Sequence, residues 1–177
     1  MQPGELIAGD RGARAVQADD LTRAWAVLDA VMDPEVPVVS VVELGIVRDL
    51  DWQAGHLHVV VTPTYSGCPA TEVIEQDIAQ ALEQAGFAAP QLERRLTPAW
   101  TTDWITGSGR ERLRAYGIAP PEGSASKRSL LGEAPQIQCP QCGSTHTEQL
   151  SEFGSTACKA LHRCRDCLEP FDYFKCI

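Results

Sequence analysis

Residues 56–82 read HLHVVVTPTYSGCPATEVIEQDIAQAL. The β-branched run 56–62 predicts a strand and the turn formers Thr62 to Gly67 a loop. Pro69 then suits the first position of a helix whose apolar stripe is Val73, Ile74, Ile78, Ala81 and Leu82, closed by Gly86. Upstream, residues 45–50 predict a partner strand, joined to 56–62 through a Gln53-Ala54-Gly55 turn. Before that, Leu21, Ala24, Trp25, Leu28 and Met32 recur at helical spacing over residues 21–32, with Asp19 or Asp20 as cap and Asp33-Pro34 as terminator. Residues 90–97 predict a third strand, and residues 110–116 a last short helix ended by Gly117. The order α-β-β-α-β-α implies an α+β domain, a small mixed sheet with helices on one face.

The chain has 177 residues, room for one such domain and a smaller module but not for two full-sized domains. A composition 44% hydrophobic and 22% charged is that of a folded globular protein. The most apolar stretch, residues 36–47, is interrupted by Pro37, Ser40, Glu43 and Gly45 and falls short of a bilayer span. The first twenty residues contain four acids and lack the order of a secretory signal, which predicts a cytoplasmic protein. Net charge is -9, and residues 1–118 carry 17 acidic against 9 basic side chains. Such a body offers phosphate backbones no basic face, so neither nucleic acid nor membrane is an expected partner.

Of the seven cysteines, six fall in the last 39 residues. Cys139-Pro-Gln-Cys142 and Cys164-Arg-Asp-Cys167 are two C-x-x-C pairs separated by 21 residues, the spacing that puts four thiolates around one tetrahedral ion. The segments between and after them are too short to bury a core alone, so the module is read as a zinc ribbon stabilised by its metal. Rubredoxin-like iron or a cluster is the alternative occupant. Cys158 and Cys176 lie outside the pairs, either as small buried hydrophobes or as a second thiol pair able to hold or pass a metal. His146 and His162 are expected at the surface, as are Lys159, Arg163 and Arg165. The domain organisation expected is 1–19 flexible N-terminus, 20–118 α+β domain, 119–136 linker and 137–177 ribbon, with the two folded units thermodynamically separable.

Cys68 is the only thiol before the linker. Pro69 behind it places it at or near the N-cap of the second helix, where backbone amides and the helix dipole favour thiolate, suiting a nucleophile or a soft-metal ligand. Thr62, Thr64, Tyr65 and Ser66 crowd the loop before it, and Asp33 and Glu35 occupy a second loop shaped by Pro34 and Pro37. Trp100 and Trp104 are expected to pack in the core. His56 and His58 share one strand face, with nothing in the sequence to aim them at Cys68.

Asp33-Pro-Glu-Val-Pro37 with VVELGIV at 41–47, TPTYSGCP at 62–69 and Pro98-Ala-Trp100 resemble the signature stretches of SufT-type and cytosolic iron-sulfur assembly factors, over roughly residues 20–118. The ribbon, with FGSTACKALHRCRDCLEPFDYFKC at 153–176, is similar to that of the PaaD family, encoded with the subunits of bacterial phenylacetyl-CoA epoxidase in aerobic phenylacetate catabolism. The resemblance implies an accessory protein that assists assembly or maturation of an iron-sulfur or di-iron centre. It also implies Cys68 as the functional thiol, with Asp33 and Glu35 as its acidic loop; Thr64 and Ser66 of the polar loop before Cys68 are read as supporting residues, beside the structural zinc expected at Cys139, Cys142, Cys164 and Cys167. A transient iron or iron-sulfur cluster is the further cofactor it implies. The implied partners are the epoxidase oxygenase and reductase subunits or iron-sulfur assembly proteins. A structural adaptor of the epoxidase and a cysteine-dependent enzyme are the competing readings. The chain offers neither paired Glu-x-x-His helices nor a G-x-G-x-x-G loop of its own.

Overall fold

The computed structural model describes residues 9–121 and 136–175. Helix α1 (Gly9–Leu28) leads through the Asp33 loop into strands β1 (Val47–Gln53) and β2 (His56–Val61), helix α2 (Thr71–Gln84) and strand β3 (Gln91–Arg94). A 3-10 turn (Thr102–Trp104) and helix α3 (Gly107–Ala115) complete this part. The sheet has the order β1-β2-β3, with β1 antiparallel and β3 parallel to β2. This is the small mixed sheet expected, with Ala54 and Gly55 both at positive φ in the hairpin turn.

Ala24 and Leu28 of α1, Ile74, Ile78 and Leu82 of α2, and Leu57, Val59 and Val61 of β2 share one core. Element boundaries depart from expectation where tertiary packing overrides local signals. Asp19 and Asp20 lie inside α1, which begins at Gly9, so residues 9–19 of the stretch expected to be flexible are helical. The helix stops at Leu28, and Met32 instead bridges Ser40. Val73, assigned to the apolar stripe of α2, is 45% exposed. Gly45 precedes β1 at φ +69°, and a Cβ there would stand 2.7 Å from Cβ of Trp104, so this close approach needs glycine.

The ribbon consists of β5 (Thr147–Ser151), β6 (Lys159–Cys164) and β7 (Pro170–Phe174) in an antiparallel meander. A fourth strand, β4 (Ile118–Ala119), runs parallel to β7 and makes the order β4-β7-β6-β5. Ile118 and Ala119, at the junction of the expected α+β domain and linker, therefore belong to the ribbon's sheet. Most of the rest of that linker, and Cys176, lie outside the described residues.

Two ribbon residues, Cys158 and Phe174, are buried in the core of the first domain. Phe174 is 1% exposed and packs its ring 6.0 Å from that of Trp100, whose indole Nε1 donates to the Leu44 carbonyl. Lys159, expected at the surface, is 4% exposed, with Nζ 3.5 Å from the Glu35 carbonyl. The two units, expected to be separable, share this core: the ribbon contributes Cys158 and Phe174 to the cluster of the first domain. His162 is likewise buried instead of exposed, with ring centroids of Phe171 and Tyr173 at 5.9 and 5.6 Å. Arg163 and Arg165 are at the surface as expected, both paired with Glu148. Phe174→Ala should lower global stability by about 3–5 kcal/mol. Urea unfolding followed by Trp fluorescence and by ribbon metal release should then show both signals shifted together; a shift of the metal-release signal alone would indicate independent units.

Candidate functional site

The expected metal ligands come together. Cys139, Cys142, Cys164 and Cys167 bring their sulfurs within 4.8 Å of one another, with Cys139–Cys167 at 3.7 Å and Cys142–Cys164 at 3.5 Å. Tetrahedral zinc–sulfur bonds of about 2.3 Å require sulfurs about 3.8 Å apart, so the four thiols fit one such ion. Each pair sits in a tight turn, closed by Gly143 N–H to Cys139 O and by Cys164 N–H to Glu169 O. Gly143 and Leu168, each following the second cysteine of its pair, both have positive φ. The backbone amide of Cys167 helps bring the Cys164 thiol down to about 7, favouring the thiolate a metal needs.

The second site is a narrow cavity between the Asp33 loop, the Thr62–Cys68 loop, α2 and the ribbon. Asp33, Glu35, Thr64 and Cys68 line it, and so do Cys158 and Phe174 from the ribbon, against apolar walls that include Leu44, Val61 and Ile74. Its free volume is about 20 Å³, room for a water or a single ion. Asp33 shapes one wall: its Oδ1 accepts the amides of Glu35 at 2.9 Å and Val36 at 2.8 Å. Asp33 is 7% exposed, and burial raises its pKa despite those two bonds and the nearby Lys159. Burial, then the charge of Asp33, also raises Glu35.

Cys68 is half-buried, but not as a helix cap. Ala70 holds the N-cap position of α2 with no side-chain cap bond, while Cys68 sits two residues earlier in a turn, its N–H donating to Tyr65 O. The helix starts at Thr71, after Pro69, because the chain first turns back through Thr71 N–H to Cys68 O. Burial, then the charges of Cys68, Glu35 and Cys158, pushes the Tyr65 hydroxyl up to about 12. Ser66, expected beside Cys68, is exposed and lines a separate cleft with Leu96, Ala99 and Trp100.

Sequence reasoning left Cys158 undecided between a hydrophobe and a partner of Cys176. It is buried in the core at 4% exposure, as the first reading has it, and it also lines the Cys68 cavity, its Sγ 3.0 Å from Thr156 Oγ1 and 3.9 Å from Glu35 Oε2. Burial pushes its thiol up, and Glu35 and Asp33 add to the rise. Alternation with the buried Ala160, His162 and Cys164 marks Cys158 as inward-facing, but no local signal says which domain it meets. The histidines lie elsewhere: His58 is held between Asp51 and Glu93, and His146 pairs with Asp166.

Residues 123–175 match the PaaD zinc beta ribbon domain, and residues 21–86 match the iron-sulfur cluster assembly protein family. An Escherichia coli (strain K12) protein, provisionally named as a 1,2-phenylacetyl-CoA epoxidase component, is 52% identical over 153 residues, 86% of this chain and 91% of that protein. The chain belongs to the PaaD family. A Porphyromonas gingivalis protein named as an Fe-S protein maturation auxiliary factor is 31% identical over 90 residues, half of this chain and 82% of that protein. Among solved structures, a DUF59 domain of unknown function from Bacillus anthracis superposes with a TM-score of 0.53 at 24% identity. It covers 56% of this chain and 96% of its own, which supports the fold of the first domain. This PaaD-family chain thus joins an iron-sulfur assembly domain to a four-cysteine ribbon, and the join is the Cys68 cavity. No helix among the described residues is long and apolar enough to cross a membrane.

The two roles of Asp33, loop acceptor and buried charge, are separable by substitution. Asp33→Asn keeps an Oδ1 acceptor and should fold normally, whereas Asp33→Ala leaves two amides without an acceptor and should cost about 1–3 kcal/mol. Because the folded-state pKa lies above 3.8, the wild type loses the Asp33 contribution as pH rises through that raised value, and the Asn variant does not. Urea unfolding between about pH 4 and 7 should show the Asn variant gaining on the wild type as pH increases. A gap that narrows with pH would contradict the burial argument.

Proposed function

We propose that the chain is an accessory factor of the phenylacetyl-CoA epoxidase system that handles iron for a metal centre of the epoxidase, with Cys68 as the functional thiol and zinc as the structural ion of the ribbon. The observation that carries this reading is the ion-sized cavity in which Cys68 meets Asp33, Glu35 and Cys158. Soft sulfur donors beside carboxylates suit a borderline first-row cation. The E. coli relative named as an epoxidase component and the relative named as an Fe-S maturation factor supply the system and the class of activity. The partners in this reading are the oxygenase and reductase subunits, or the assembly proteins that serve them, in the cytoplasm.

Zinc is the ribbon ion in this reading because four thiolates with both pairs in closed turns make a saturated site, which suits a structural ion better than a transferred one. When bound, it supplies a cross-link between the two turns and hence most of the ribbon's stability. Cys139, Cys142, Cys164 and Cys167 hold it, the Cys167 amide hydrogen-bonds the Cys164 sulfur, and β6 and β7 carry Cys158 and Phe174 from those turns to the first domain.

A cysteine-dependent enzyme fits the cavity less well. Among the described residues no histidine lines it to serve as a base for Cys68. Epoxidase produced alongside Cys68→Ser should therefore be deficient in iron or cluster, while mature epoxidase freed of this protein should keep its turnover. Metal analysis and activity assays of the purified oxygenase and reductase decide both points. Metal-replete, fully active epoxidase produced with Cys68→Ser would overturn the proposal, and loss of turnover when the protein is removed from mature enzyme would favour an adaptor or catalytic subunit.

A further inference from the structure

Two cysteines far apart in sequence, one from each matched domain, line the same cavity. Cys68 comes from the loop before α2 and Cys158 from the segment leading into β6, and Glu35 lies between the two loops as a carboxylate wall. We infer that Cys68, Cys158 and Glu35 form a composite binding site for a single divalent first-row transition cation, separate from the ribbon's four-cysteine site. The inference rests on the proposed function and deepens it by naming the second thiol and the carboxylate.

The chemistry of the donors supports a transfer site more than a storage site. Two sulfurs and one carboxylate oxygen make a set that accepts iron(II), cobalt(II) or zinc, and leaves a coordination position open. Among the described residues only the ribbon cysteines bring three or more donor atoms within 4.8 Å of one another. The cavity donors are therefore not closed around a fixed point, so a cation held there must draw them in and can be released by relaxing them. The size of the space agrees, since it accommodates an ion and not a preformed cluster.

Protonation fits as well. Cys158 is a buried thiol whose S–H points to Glu35 Oε2 at 3.9 Å, and burial keeps it protonated when the cavity holds no cation. Binding of a divalent cation displaces the proton of each ligating thiol to solvent, so that the Glu35 carboxylate stays available as the third donor. Lys159, buried beside Glu35 with Nζ also 4.0 Å from Asp172, limits the negative charge that accumulates when no cation is present. Because Cys158 rides on the ribbon, the composite site exists only while the ribbon is docked. The ribbon thereby acquires a role in ligation beyond its own stability.

The test uses the full chain with one equivalent of zinc in the ribbon, titrated anaerobically with cobalt(II). One further equivalent should bind with thiolate-to-cobalt charge-transfer absorption, and ribbon zinc should remain in place by metal analysis. Cys68→Ser and Cys158→Ser should each lose most of that absorption and weaken binding at least about tenfold, a step worth 1.4 kcal/mol; Glu35→Gln should weaken it less. Cobalt-edge X-ray absorption on the wild type gives the same answer without a variant: two sulfurs with lighter donors are expected. One sulfur or none, or four from cobalt in the ribbon, would overturn the assignment. If Cys158→Ser binds cobalt as the wild type does while Cys68→Ser does not, the composite site is wrong and the iron-handling role of Cys68 stands. If the wild type takes up no second equivalent while Cys68→Ser still yields iron-deficient epoxidase, the site again fails alone.

Discussion

The burial of Phe174 and Cys158 in the core of the first domain is the contact on which the rest of the structure depends. Phe174 ends the last strand of the ribbon, packs its ring at a tilt of 58° to that of Trp100 and walls the cavity of Cys68. Trp100 is in turn fixed by its hydrogen bond to Leu44, which lines the same cavity. A ribbon of three short strands and one two-residue strand has little apolar surface of its own, and its internal cluster is correspondingly small. It is stable through two agents, the ion expected between its cysteine turns and the neighbouring domain's core. The same two agents determine whether Cys158 reaches Cys68.

This coupling gives physical meaning to the domain combination of the PaaD family. The iron-sulfur assembly domain brings Cys68 and the carboxylate loop. The added ribbon packs against that loop, contributes a second thiol and a buried lysine, and walls one side of a space of about 20 Å³.

Much of this was legible in the sequence, and the limits were physical. The strand–loop–helix at 56–82 and the mixed sheet followed from periodicity and turn residues, and the four ribbon ligands from spacing alone. The grouping of Asp33 and Glu35 with Cys68 came from the family resemblance, and that of Thr64 from the polar crowding of the loop before Cys68. Ser66 is exposed together with Gly67, and composition does not reveal which residues of a polar loop face a cavity. Pro69 pointed to a helix start and so to Cys68 as a cap, but the chain takes one more turn before Thr71, and only backbone geometry distinguishes the two. The ribbon's docking was illegible for a different reason. Lys159 looked like a surface charge, and Cys158 had no spacing partner, since contacts across 124 and 123 residues leave no periodic trace in the sequence.

Hydrogen–deuterium exchange of the full chain, with the ribbon metal bound and after its removal by chelation, tests the central claim most directly. If the ribbon completes the Cys68 cavity, removing its metal should release protection in residues 136–175 and also in the Asp33–Val36 and Thr62–Thr71 segments, while the β1–β2 hairpin stays protected. Exchange that rises in the ribbon alone, with both cavity loops unchanged, would contradict the account.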